Sequence, residues 1–151
     1  MIKKLLNREL EISKEIYSVF QVSYKIEAKL LNATNFPPLK RPLKDYMGSN
    51  TDFYGYLKNG GLVGVIEIDG SNRYIHIKSL VVNPLFFRQG IAKELIEYVV
   101  NEFDSNLFTV ETGLANGPAI RLYKKFGFIE VKQWDTDHGI RKIKFEKRVK
   151  N

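Results

Sequence analysis

Apolar residues change their spacing at Pro84, and that change limits what the chain can fold into. Before it, residues 62–66 are a short apolar run and residues 73–82 alternate, the period of strands. After it, Ile91, Leu95, Ile96, Val99 and Phe103 recur at helical spacing, predicting a helix over 90–103. Residues 107–112 then read as a strand, 118–126 as a helix and 128–134 as a strand. Residues 140–146 read as the last strand, paired across 135–139. Strands interleaved with amphipathic helices call for a sheet with helices packed on it.

Turn residues place antiparallel strands ahead of this unit. The runs 53–57 and 62–66 flank Asn59-Gly60-Gly61, a hairpin signal. Asp69-Gly70-Ser71-Asn72 marks a second turn, followed by the strand at 73–82. Unbroken alternation there puts Tyr74, His76, Lys78, Leu80 and Val82 on one face, and Ile75, Ile77, Ser79 and Val81 on the other. Upstream, Ile12, Ile16, Val19, Phe20, Ile26 and Leu30 mark a helix over 9–32, stopped by the Asn- and Pro-rich stretch 32–38. Pro42 opens a short helix through Tyr46. The expected class is α/β (α+β): one domain over residues 1–151, with a mixed, mostly antiparallel sheet flanked by helices. Its 151 residues suffice for one core.

Composition narrows the chemistry. Cysteine is absent, which excludes a disulfide scaffold, a thiolate zinc site and a cysteine nucleophile. His76 and His138 are the two histidines, too few for a histidine-rich metal site, so no metal is expected. No apolar run is long enough to span a membrane, and Asn7-Arg8-Glu9 interrupts the apolar start, which argues against a secretory signal. The expected location is cytoplasmic, with no membrane partner.

Lys and Arg number 24 against 17 Asp and Glu, a net charge of +7. Such a surface attracts nucleic acid, anionic lipid or a phosphorylated cofactor. The cluster Lys142, Lys144, Lys147, Arg148 and Lys150 reads as a solvated edge strand and tail. No helix-turn-helix or zinc-finger spacing accompanies it, so no nucleic-acid partner is expected. Aromatic residues form 13% of the chain and are compatible with a homodimer, although no stripe specifies one.

Two segments carry chemistry. In the first, a strand ending at Val82 passes through Asn83-Pro84-Leu85-Phe86-Phe87-Arg88-Gln89 into a helix beginning Gly90-Ile91-Ala92-Lys93. Gly90 and Ala92 are small, so an anion can approach the first backbone amides, which lack intrahelical partners. Arg88 and Lys93 add charge, giving a candidate diphosphate cradle, although glycine here can also simply ease the turn. Neither a Walker loop nor a three-glycine dinucleotide fingerprint is present. In the second segment Asn116 suits a helix N-cap and Gly127 the position past its end. Asn116, Ala119 and Tyr123 share one stripe. That stripe lines a groove, or the helix is simply capped with its tyrosine packed on the sheet.

Together these segments resemble the GNAT superfamily, the acetyl-CoA-dependent N-acetyltransferases. Val82-x-Pro84 with Arg88-Gln89-Gly90-Ile91-Ala92 looks like the family's acetyl-CoA motif. Asn116-x-x-Ala119-x-x-x-Tyr123-x-x-Phe126-Gly127-Phe128 looks like its second motif. There is one departure: Phe87 stands where the family pattern begins with Gln or Arg.

The resemblance implies that acetyl-CoA, without a metal, is the co-substrate. An acetyl group then passes by direct attack to a primary amine on a small molecule or peptide. The backbone at Leu80 would face the oxyanion, and the edge formed by Leu80, Val81 and Val82 would hold the pantetheine arm as an added strand does. Arg88, Gln89, Gly90, Ile91, Ala92 and Lys93 would surround the diphosphate. Asn116, beside Ala119, would hold the pantetheine arm, and Tyr123 would protonate the departing thiolate. His76 occupies a strand position where some members carry a catalytic Glu, and Glu111 is the rival base. Lys40, Arg41, Asp45 and Tyr46 are candidates for the acceptor cleft. The alternative is a non-catalytic acyl-CoA-binding or sensing module, which would keep Gly90, Ala92 and Asn116 but need neither Tyr123 nor a base.

Overall fold

Among the described residues, seven strands form one sheet in the order β1-β2-β3-β4-β5-β7-β6. They are β1 (Ile2–Leu5), β2 (Asp52–Lys58), β3 (Gly61–Ser71), β4 (Tyr74–Val82), β5 (Leu107–Gly113), β6 (Ile129–Asp135) and β7 (Arg141–Arg148). The structure, a computed structural model, describes residues 1–71 and 74–149. Asn72 and Arg73 of the expected turn and strand, and Lys150 of the basic cluster, lie outside the described residues. Every strand pairing is antiparallel except β4–β5, so the sheet is mixed and mostly antiparallel, as expected. A parallel pair needs a crossover, and α3 (Ile91–Glu102) supplies it.

The helices cover both faces. Ile16, Val19 and Phe20 of α1 (Leu10–Leu30) pack with Tyr46 of α2 (Leu43–Met47) onto Phe53, Val65 and Val81. Leu95, Ile96 and Val99 of α3 and Tyr123 of α4 (Gly117–Lys125) pack onto the other face, over Ile75, Ile77, Phe108, Val110 and Phe145.

Four expectations need correction. β1 was not foreseen: with two lysines in four residues it shows little apolar pattern, and Leu5 is its one buried side chain. No turn interrupts β3 at 69–71, where Asp69, Gly70 and Ser71 pair with His76, Ile75 and Tyr74. β7 is not an edge strand but lies between β5 and β6, and Lys147 Nζ donates to the Phe126 carbonyl at 2.8 Å, at the C-terminal end of α4. Finally, alternation along β4 breaks at Lys78. Glu67 pairs with Ser79 and Ile68 with Ile77, so Lys78 bulges out of the ladder. Ile75 and Ile77 therefore join the α3-side core, while Val81 joins the α1-side core.

The bulge coincides with a parting of strands. The β4–β5 ladder runs only from Tyr74↔Leu107 to Ile77↔Val110, yet β4 continues to Val82 and β5 to Gly113. Among the described residues, β4 has a ladder partner beyond Ile77 only on its β3 side.

Candidate active site

The parted strands open a cavity of about 880 Å³. That is within the range of small-ligand pockets, about 300–1,000 Å³. At its β4–α3 rim the chain turns sharply. Asn83 Oδ1 accepts from the Leu85 amide at 3.0 Å, and a 3-10 turn spans Pro84–Phe86. Arg88 and Gly90 then take left-handed φ values of 64° and 77°. A Cβ built on Gly90 meets nothing within 4 Å, so its backbone angle, not crowding, favours glycine. Gly90 is the N-cap of α3, and the amides that follow have no intrahelical acceptor. Arg88, Gly90, Ile91, Ala92 and Lys93 line the cavity with Phe87, which is 45% exposed. Gln89 does not line it; its side-chain oxygen accepts a hydrogen bond from Lys58 Nζ.

Leu80 and Val82 line the cavity, whereas the Val81 side chain is buried against the α1-side core and its backbone pairs with Val65 of β3. On the far wall α4 ends in a Schellman arrangement: Gly127, at φ 85°, donates its amide to the Lys124 carbonyl and Phe128 donates to Tyr123. This fixes the turn that brings Tyr123 against Phe128 and Phe145. Tyr123 lines the cavity and is 4% exposed. Burial first, then the nearby charge of Glu27, push its hydroxyl well above the ordinary tyrosine range, so it stays protonated.

Asn116 has two occupations. Its Oδ1 accepts from the Ala119 amide at 3.3 Å, capping α4. Its Nδ2 donates to Glu27 Oε1 at 3.0 Å and to Thr112 Oγ1 at 3.3 Å. Asn116 and Ala119 both line the cavity.

The two bases suggested by sequence separate in space. Glu111 lines the cavity, 3.5 Å from Lys142 Nζ. His76 does not line it; its Nδ1 lies 2.7 Å from Thr109 Oγ1 and its ring stacks beside Tyr74. Burial lowers the His76 pKa against the opposing charge of Glu111. Of the acceptor-cleft candidates Arg41 lines the cavity, while Lys40, Asp45 and Tyr46 do not.

Two carboxylates escaped the sequence reading. Glu67 is fully buried and accepts from Arg41 at 2.8 and 3.0 Å, Thr51 Oγ1 at 2.6 Å and Ser79 Oγ at 3.0 Å. Burial favours its neutral form, but these hydrogen bonds outweigh burial and hold its pKa below the ordinary carboxylate value. The Arg41 guanidinium also lies 4.2 Å from the Tyr46 ring centroid. This cluster ties the loop before α2 to the sheet. Glu27 of α1 lines the cavity, and burial raises its pKa although Lys142 and Asn116 favour its charged form. Its signal was positional: Ser13, Ile16, Phe20, Tyr24, Glu27 and Leu31 follow one helical stripe, and Glu27 is the acid on it.

Residues 28–149 match a family model described as Acetyltransferase (GNAT) domain. The UPF0157 protein YqkA of Bacillus subtilis (strain 168) is 38% identical over 142 residues, covering 93% of this chain and 41% of that protein. The chain spans about two-fifths of the length of the curated relatives it matches. Among solved structures, the ribosomal-protein-S18-alanine N-acetyltransferase of Escherichia coli superposes with a TM-score of 0.77 at 20% identity, over 97% of this chain and 91% of that one. PaiA N-acetyltransferase of Thermoplasma acidophilum, solved in complex with coenzyme A, gives 0.74 at 20% identity, over 99% and 98%. The family match takes in both segments that wall the cavity, and by it this chain belongs to the GNAT acetyltransferases.

Proposed function

We propose that this domain moves an acetyl group from acetyl-CoA to a primary amine. The observation that carries the reading is the seam between β4 and β5: it begins at a cradle of free amides and leads past Leu80 to Tyr123. An anion fits the cradle, because the first turn of α3 presents amides and partial positive charge, flanked by Arg88 and Lys93. An extended arm carrying amides fits the seam, where the backbone of Leu80 and Val82 points away from β3 and has no β5 ladder partner among the described residues. Gln89, turned toward Lys58, contributes only backbone to this end. Asn116 can join the arm through Oδ1, which accepts one bond from Ala119 and keeps a second lone pair, while Nδ2 stays on Glu27 and Thr112.

The amine must lose a proton before it attacks. At pH 7 an alkylamine with pKa about 10.4 is mostly ammonium, a cost of about 4–5 kcal/mol. A base removes this cost. Among the described residues two carboxylates line the cavity, Glu27 and Glu111, while His76 stands outside it. As the nitrogen bonds to the thioester carbon, charge grows on oxygen, and an amide directed at it, assigned to Leu80, contributes about 3 kcal/mol. The carbon–sulfur bond then breaks and the Tyr123 hydroxyl protonates sulfur. A raised phenol pKa suits this acid, because the burial that raises it also raises the pKa of a thiol leaving in the same place. Tyr24, Leu31, Phe36, Pro38 and Ile140 wall the remaining space, which favours an amine on an apolar body.

The test is CoA release, followed with a thiol reagent, from acetyl-CoA and a panel of amines, alongside calorimetric binding of acetyl-CoA. Release with at least one amine is the expected result. Tight binding with no release across the panel would leave a non-catalytic acyl-CoA module.

A further inference from the structure

We infer that Glu27 is the group that takes the proton from the acceptor amine, held in position for that task by Asn116. The inference rests on the acetyl-transfer reading and assigns the base within it. The residue enters the cavity from α1 and Tyr123 from α4, helices packed on opposite faces of the sheet, so a proton acceptor and a proton donor share one cavity. Both groups line one cavity, and the Glu27 charge is close enough to act on the Tyr123 hydroxyl.

Three features single Glu27 out from Glu111. It is tethered at 3.0 Å by Asn116, whose own position is set by the α4 cap and by Thr112. That bond occupies Oε1 and leaves Oε2 to take the proton. It sits on the α1 wall next to Tyr24 and Leu31, where an apolar acceptor would lie. Glu111, by contrast, is already paired with Lys142. The charged and titratable groups acting on Glu27 are Lys142 from β7, itself paired with Glu111 of β5, Tyr123 from α4 and Tyr24 one turn earlier on α1. Burial outweighs Lys142, so the Glu27 carboxylate is more basic than a solvated one and a better acceptor for an ammonium proton.

Protons balance across the step. The ammonium gives one proton to Glu27 and attacks as a neutral amine. The carbon–nitrogen bond forms, the carbon–sulfur bond breaks, and Tyr123 protonates sulfur. The second nitrogen proton returns to the Tyr123 phenolate through water, and Glu27 releases its proton to solvent. The products are the amide, the CoA thiol and one proton.

The experiment compares wild type, Glu27→Gln and Glu111→Gln with two acceptors of matched size. One is an alkylamine that is protonated at pH 7; the other is 2,2,2-trifluoroethylamine, which is largely neutral there. Glutamine still accepts the Asn116 bond, so acetyl-CoA affinity and the melting curve report any loss of structure. With the alkylamine, Glu27→Gln is expected to lower kcat/KM at pH 7 by about a hundredfold or more. Its rate should climb with pH toward the amine pKa. With trifluoroethylamine the loss should be under about tenfold, whereas any loss in Glu111→Gln should be the same for both acceptors. Equal losses with both acceptors, an unchanged Glu27→Gln, or the pH signature appearing in Glu111→Gln instead would each overturn the assignment while leaving acetyl transfer intact. Absence of wild-type turnover with every amine would overturn the transferase reading and this assignment together.

Discussion

Arg41 shows how one side chain can hold a loop and a buried charge together. Its guanidinium makes two bonds to Glu67, which has no exposed surface, while its face lies over Tyr46. Replacing Arg41 with alanine strands that carboxylate without its cation. Losing one partner of a buried pair typically costs about 3–5 kcal/mol, and urea unfolding at pH 7 should show Arg41→Ala destabilised by about 3 kcal/mol. The folded pKa of Glu67 is depressed, so its stabilisation is present above the unfolded value, about 4.3, and lost as pH falls through the lower folded value. The wild-type advantage over Arg41→Ala should therefore shrink in acid. Glu27 has the opposite sign. Its folded pKa is raised, so its charge costs stability above the unfolded value. Glu27→Gln should melt higher than wild type at pH 7, with the gain gone below about pH 4. At the chemistry itself, Tyr123→Phe should lower kcat by more than about tenfold with little change in acetyl-CoA affinity; unchanged turnover would remove the general-acid role. Tyr123 and Asn116 stood out in the sequence through a cap and a stripe, which are local patterns. Glu67 did not, because nothing near it in sequence announces that Arg41, Thr51 and Ser79 converge on it.

The same division appears among elements. The turns into α3 and out of α4 were readable because their glycines answer to their own backbone angles: Gly90 at 77° and Gly127 at 85°. Gly90→Asp should abolish measurable acetyl-CoA binding in calorimetry, since it adds a left-handed strain of about 1–3 kcal/mol and a negative charge at the cradle. Retained affinity would discredit the cradle. The course of β4 was not readable. Alternation is a local rule, but the bulge at Lys78 exists only relative to β3, whose Glu67–Ile68 step faces three β4 residues. That one offset put His76 and Leu80 on opposite sides of the sheet although both have even numbers. β1 was hidden for a related reason: four residues become a strand only because Phe53 to Tyr56 of β2 are there to pair with them.

For the whole molecule, net charge and site chemistry agree in sign. A surplus of seven positive charges draws in a polyphosphate, and Arg88, Lys93 and Lys78 at the cavity give the field a local focus. Acetyl-CoA association, measured by stopped flow, should slow as ionic strength rises from about 0.01 M to about 0.15 M, because the screening length falls from about 30 Å to about 8 Å. An association rate indifferent to salt would show that steering plays no part. The order of elements, and so the fold class, was legible at this scale because a change of apolar period survives errors of a few residues at each boundary.

The short β4–β5 ladder has one more consequence. A sheet with rungs missing at its centre is completed only by whatever slides between the rails. The amides of Leu80 and Val82 should exchange hydrogen with solvent readily in the free domain and slowly once acetyl-CoA is in place, with the β3-paired Val81 amide protected in both states. On the proposed reading the visitor would serve for a time as the eighth strand, and each product release would return the sheet to its unfinished form.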